Sequence, residues 1–220
     1  ERWISLIESL SSTDSIKLNV NDENFTVEKV NILMYNGQSQ SQTINVYYNG
    51  VLLIEGIHYT LSGNINTNAG SYALTITGAG AFEGEREVAY TIAKAPLNVT
   101  AENKEITYGD AIPDYTVIYN GFVNDENETA LGGALALVCD YVQYSNVGIY
   151  DINVSGYESD NYEITYVNGN VKVNQKVIGL DWSNLLFVYD GNAKLPTVTA
   201  TGLVNGDVCI VTIIGEKSDA

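Results

Sequence analysis

Asn146-Val147-Gly148-Ile149-Tyr150-Asp151-Ile152-Asn153-Val154-Ser155-Gly156, followed by Asp160-Asn161-Tyr162-Glu163-Ile164-Thr165-Tyr166-Val167, decides the fold class. It reads as two strands joined by a polar turn. Tyr150, Ile152 and Val154 alternate with Ile149, Asp151, Asn153 and Ser155, so one face can pack on a core while most of the other meets water. The same phrase occurs earlier as Asn68-Ala69-Gly70-Ser71-Tyr72-Ala73-Leu74-Thr75-Ile76-Thr77-Gly78, with the Asn-x-Gly-x-Tyr core and the alternation kept. The chain therefore contains an internal repeat.

Composition supports pleated structure. The 220 residues include 16 Tyr and 20 Gly beside one Met, one His and three Pro, and Tyr, Val, Ile and Thr suit strands better than helices. The repeat argues for units of about 70–80 residues rather than one large domain. Ten basic residues oppose 27 acidic ones, and a formal charge of −17 repels phosphate backbones and anionic lipid, so nucleic acid is not an expected partner. No apolar run approaches the ~18–20 residues of a helical membrane span. Cys139 and Cys209 fall in different expected repeats and form no motif, so two free, largely buried thiols are expected. From Glu1 onward no basic and apolar leader pattern is visible, as in a processed or excised fragment.

In chain order, Trp3, Leu6, Ile7 and Leu10 predict a short amphipathic helix over residues 2–11. Ile16 to Val20 and Phe25 to Val27 follow as a hairpin-like pair of strands. Residues 1–29 read as a cap or the remnant of an upstream domain. Residues 30–95 form the first repeat, in which Asn36-Gly37 and Asn49-Gly50 are expected to close tight hairpins. Residues 71–77 and 86–92 are its last strands. Pro96 marks a linker, and 96–176 form the second repeat, with strands at 97–101, 115–120, 131–138 and 141–144 before the stretch quoted above. Residues 177–220 form a partial third repeat with strands at 196–201 and 208–214. Its Asn-x-Gly-x-Tyr strand would fall near position 226–231, so the last repeat reads as truncated.

The residues that carry a family resemblance lie mainly in the second repeat. The run from Tyr90 to Ala101, then Ile106-Thr107-Tyr108-Gly109-Asp110, Tyr119-Asn120-Gly121-Phe122, Asn146-Val147-Gly148-Ile149-Tyr150 and Asn161 to Gly169 resemble the MBG domain, the "mostly bacterial Ig-like" family. Residues 30–95 resemble a related bacterial Ig-like repeat, and 185–220 the first half of another copy, from Tyr189-Asp190-Gly191. The resemblance implies an all-β fold of tandem Ig-like antiparallel β-sandwich modules in a large secreted or wall-attached bacterial protein. It implies a spacer or part of an adhesin, and it carries over no catalytic residues, cofactor or metal. Residues 1–29 depart from the pattern.

The side chains that could carry chemistry point the same way. His58 has no second His and no Cys partner, and reads as a strand-edge residue. Asn124-Asp125-Glu126-Asn127-Glu128 offers hard oxygen ligands without the register of a calcium loop, and reads as a solvated loop. Tyr35, Tyr72, Tyr108, Tyr150 and Tyr189 recur at matching repeat positions, which suits core or corner packing more than a sugar-stacking platform. The sequons at Asn24, Asn98, Asn127 and Asn153 arise readily in Asn- and Thr-rich strands, and none of the three Lys of the second repeat sits in an apolar run as an internal Lys–Asn or Lys–Asp crosslink requires. The expected function is a non-catalytic extracellular spacer or stalk whose partners are its own neighbouring repeats. The alternative is a module binding a glycan or host surface protein through Phe122 to Thr129 or Gly78 to Gly84.

Overall fold

The computed structural model describes residues 16–214, and over them the protein is all-β apart from a 3₁₀ turn at Glu128–Ala130. The helix expected over residues 2–11 lies outside the described residues. Two compact units divide the chain. The first gathers the described residues through Val99 with Tyr119–Leu135 and Gly156–Tyr166, and the second holds Thr100–Ile118, Ala136–Ser155 and the described residues from Val167 on.

In the first unit, the Asn-x-Gly-x-Tyr phrase opens strand Gly70–Gly78, which pairs antiparallel with Glu85–Ala93. The alternation behaves as the pleat demands: Leu74 and Ile76 are fully buried while their neighbours Ala73, Thr75 and Thr77 are not. Tyr59–Ser62 extends this sheet on one side and Leu33–Met34 on the other, the latter parallel to Glu85–Ala93. Phe25–Lys29, Ile44–Tyr48 and Val51–Leu52 form a second sheet that sends Phe25, Ile44 and Val46 into the core. Phe82, fully buried, lies edge-on to Phe25, Tyr48 and His58.

The quoted stretch of the second repeat forms Gly148–Glu158 and Tyr162–Val167. The strands are joined by a turn as read, but they belong to different sheets. Gly148–Glu158 lies between Gly169–Asn174 and Gly132–Cys139, and Tyr162–Val167 pairs with Ala95–Ala101, which Val117–Asn120 flanks on its other edge. Lys104–Thr107 runs parallel to Gly169–Asn174. The registers of the two repeats coincide residue for residue. Ile92 stands between Leu33 and Gly70, and Val173 between Ile106 and Gly148. Two residues further on, the Tyr35 amide donates to the Ala93 carbonyl (2.8 Å) and the Tyr108 amide to that of Asn174 (2.9 Å).

Several expectations are corrected. Leu18–Asn19 and Phe25–Lys29 do not pair with each other but with Phe82–Glu83 and Ile44–Tyr48, because Val20 and Phe25 both find the core by separating. Asn49-Gly50 closes its hairpin with both residues at positive φ (49° and 76°), the type I′ signature. At Asn36-Gly37 only the glycine is left-handed (74°), and the chain leaves the sheet, so no hairpin forms there. Pro96 sits near the start of strand Ala95–Ala101, where its missing N–H is tolerated, and Lys94 alone separates that strand from Glu85–Ala93. Residues 141–144 and 208–214 form no strand. Both cysteines are free, but Cys139 is half-buried and Cys209 exposed.

The burial pattern sets a stability contrast along one strand. Ile152, fully buried, loses about 2–5 kcal/mol on truncation to Ala. Ile149, 70% exposed, loses within about 0.5 kcal/mol. Denaturant unfolding of Ile152→Ala and Ile149→Ala checks both, and equal costs would contradict the assigned faces.

Candidate functional site

The recurring tyrosines do two different jobs. In Asn68-Ala69-Gly70-Ser71-Tyr72, the Tyr72 hydroxyl turns back and donates to the Asn68 carbonyl at 2.8 Å, and in Asn146-Val147-Gly148-Ile149-Tyr150 the Tyr150 hydroxyl donates to Asn146 at the same distance. The motif is thus a self-closed corner. Each ring lies over its half-buried strand end and satisfies a carbonyl that the ladder does not use.

Tyr35 reaches beyond its own repeat. Its hydroxyl donates to Glu126 Oε1 at 2.6 Å, and the Tyr162 hydroxyl donates to Oε2 of the same carboxylate at 2.5 Å. The Val123 amide donates in turn to the Tyr162 oxygen at 3.1 Å. Tyr35 and Tyr162 are 6% and 2% exposed and meet edge-to-face, and Phe122 meets Tyr162 the same way. Burial and the carboxylate bond push the Tyr35 phenol up to about 12, and the same two causes raise Tyr162. Beside Tyr35, the Asn124 amide donates to the Gly37 carbonyl, and the Gln38 amide donates to Asn124 Oδ1, both at 3.2 Å. A Cβ on Gly37 would stand 2.5 Å from that of Asn124, so the close approach requires glycine. All of these residues lie in the first unit.

The arrangement recurs in the second unit. Tyr108 lies beside Asp207 in one surface pocket, and the neighbouring carboxylate, followed by burial, raises its pKa. A Cβ on Gly109 would lie 2.9 Å from Val204 Cγ2. The two contributing loops align without gaps, Gly121-Phe122-Val123-Asn124-Asp125-Glu126 with Gly202-Leu203-Val204-Asn205-Gly206-Asp207. Each places two consecutive residues at positive φ, Asn124 and Asp125 (52° and 58°) and Asn205 and Gly206 (54° and 72°), and closes with a backbone bond from the acid to the valine carbonyl. A Tyr corner thus takes an acid-tipped loop from the sequence that follows it. Sequence reading missed this pairing, although the loop recurs at the same interval that separates Tyr108 from Tyr189.

The other expected candidates fall as follows. Of the acidic loop, Asn124, Asp125, Asn127 and Glu128 are exposed, as a solvated loop requires, while Glu126 alone is half-buried and held by the two tyrosines; Asn127 Oδ1 accepts the Thr129 amide at 3.0 Å to cap the 3₁₀ turn. Among the described residues, no group of three or more His, Cys, Asp or Glu converges. His58 is buried, not at an edge: Nδ1 accepts the Ile54 amide at 2.9 Å and Nε2 has no hydrogen-bond partner among the described residues. The loop from Gly78 to Gly84 buries its only ring, Phe82. Lys104 and Lys172 form surface pairs with Glu102 and Glu105.

The carboxylate held by two hydroxyls makes two checks. Truncating Glu126 to Ala strands two buried phenols and costs about 2–4 kcal/mol, whereas Tyr35→Phe costs about 1–2 kcal/mol. A double-mutant cycle returns a coupling of about 0.5–3 kcal/mol, and additivity would show that the bond contributes nothing. The second check is alkaline. A phenol raised in the folded state gives stability that is complete below its unfolded pKa near 10 and lost as pH rises through about 12. Between pH 10 and 12 the stability of Tyr35→Phe therefore falls less steeply than that of the parent chain in parallel urea titrations.

Comparison with known proteins is confined to the second repeat. No curated protein matches the chain. Residues 97–172 match the family model of the MBG domain, YGX type, and Tyr108-Gly109-Asp110, the corner beside Asp207, reads as such a Tyr-Gly-X triplet. The likeness to the MBG domain thus covers residues 97–172, a stretch that includes the corner tyrosine Tyr108.

Proposed function

We propose that this chain is a non-catalytic, extracellular segment of a bacterial surface protein in which tandem Ig-like repeats act as a spacer. The MBG family points to a bacterial surface-protein domain of non-enzymatic, Ig-like type. The observation that carries the spacer role is the use made of the loop from Phe122 to Thr129. In Ig-like domains, loops at the ends of the sandwich are where ligands are bound. Here that loop spends its aromatic ring on Tyr162, its carboxylate on Tyr35 and Tyr162, and its Asn124 amide on Gly37. The coinciding registers around Ile92 and Val173 support the tandem reading. Ring pairs among the described residues are edge-to-face or tilted, without the coplanar exposed rings on which a sugar stacks.

A binding screen against glycan and host-matrix arrays tests the reading, with Tyr144→Ala and Phe122→Ala alongside. The folded chain is expected to bind nothing saturably. Saturable binding lost in Tyr144→Ala, whose ring is 37% exposed, would overturn the spacer role in favour of a ligand-binding module.

A further inference from the structure

The corner that Tyr35 and Tyr108 form occurs a third time, as Tyr189-Asp190-Gly191. Its local backbone already has the form of the first. Asp190 Oδ1 accepts the Asn192 amide at 3.0 Å as Asn36 Oδ1 accepts that of Gln38 at 2.9 Å, and Gly191 and Gly37 have φ of 80° and 74°. The surroundings differ. Gly37 and Gly109 lie against Asn124 and Val204, whereas a Cβ on Gly191 would meet nothing within 4 Å among the described residues. Tyr35 is 6% exposed and Tyr189 67%, and Val188 beside it is 84% exposed.

We propose that Tyr189-Asp190-Gly191 is the receiving half of the same joint, and that its partner is a Gly-(Phe/Leu)-Val-Asn-x-(Asp/Glu) loop on a further repeat. The partner's chemistry follows from the two joints already made in this chain. The loop's terminal carboxylate accepts the Tyr189 hydroxyl, as Glu126 accepts that of Tyr35, and its valine or asparagine packs on Gly191. A phenol suits this recognition because it donates one hydrogen bond without bringing a charge that must be desolvated. The left-handed turn in the partner loop supplies shape, so a carboxylate alone is not enough. The inference rests on the tandem reading for its setting only.

The test uses nitration of tyrosine by tetranitromethane, which attacks the exposed phenolate and is read residue by residue by mass spectrometry. Two chains are compared: this one, and the same chain lengthened after Ala220 by a copy of its own Asp140–Ala220. That copy continues the repeat in register, since Cys139 stands to Ala220 as Tyr108 stands to Tyr189. Tyr189 reacts readily in the parent chain and at least about 10-fold more slowly in the lengthened one, because one unit of raised pKa alone removes that much phenolate. Asp207→Ala in the appended copy restores the rate at Tyr189, just as Asp207→Ala in the parent chain speeds reaction at Tyr108. Tyr35 stays slow throughout and reports that the fold is kept. Equal rates at Tyr189 in the two chains overturn the proposal, and so does protection that survives loss of the acid. A ligand found on the array would refute the spacer role without changing the nitration rates, so the two failures are separable.

Discussion

The structure depends on the register of two closing strands, Glu85–Ala93 and Gly169–Asn174, each of which is paired on both edges. Because side chains alternate with a period of two, a slip of one residue would carry Ile92 or Val173 from the core to water. The same strand fixes the parallel neighbour that leads to Tyr35 or Tyr108 and the antiparallel neighbour that begins with Asn-x-Gly-x-Tyr. Once the closing strand is in register, both tyrosine landmarks are placed. The Tyr corner is therefore a consequence of sheet geometry before it is a device for joining repeats.

Charge explains why the joint is made by tyrosine. With ten basic residues against 27 acidic ones, few cations are available to hold carboxylates, and an exposed ion pair contributes little in any case. A phenol gives a short hydrogen bond to a carboxylate, packs its ring against other rings, and does not need a counter-charge. Glu126 can thus be half-buried beside Tyr35, Tyr162 and Phe122 with both oxygens satisfied. A lysine in place of Tyr35 would bring a charge and no ring. Glu105 and Asp190 show the contrast: each is drawn below the usual carboxylate range, first by the hydrogen bond to Lys172 or Lys194, and these pairs stay at the surface.

How much was legible in the sequence follows from which interactions are local. Alternation around Leu74 and Ile152 and the Asn49-Gly50 turn are settled within a few residues, and the strands formed where they were expected. Asn36-Gly37 looks the same on paper, but its asparagine spends its side chain on the Gln38 amide and the chain departs for another sheet. Strand partners were less legible than strands, since Phe25 chooses Tyr48 over the nearer Val20 segment through burial that no local pattern records. The role of Glu126 was illegible for the same reason. An acidic run between turns reads as solvated unless the distant ring that covers it is known, and the clue lay in a second loop, Gly202 to Asp207, that by itself looks like any polar turn.

The joint also separates shape from strength, which bears on how one corner could accept only the right loop. The backbone of Gly121 to Glu126, with its two left-handed residues, must match a corner from which a Cβ has been removed at Gly37 or Gly109. A loop of different turn type would meet that surface with its side chains misdirected, whatever its charge. The carboxylate then adds a directional bond only after the shapes agree. Discrimination thus lies in the glycine and the turn, and the acid sets how firmly the correct pair is held.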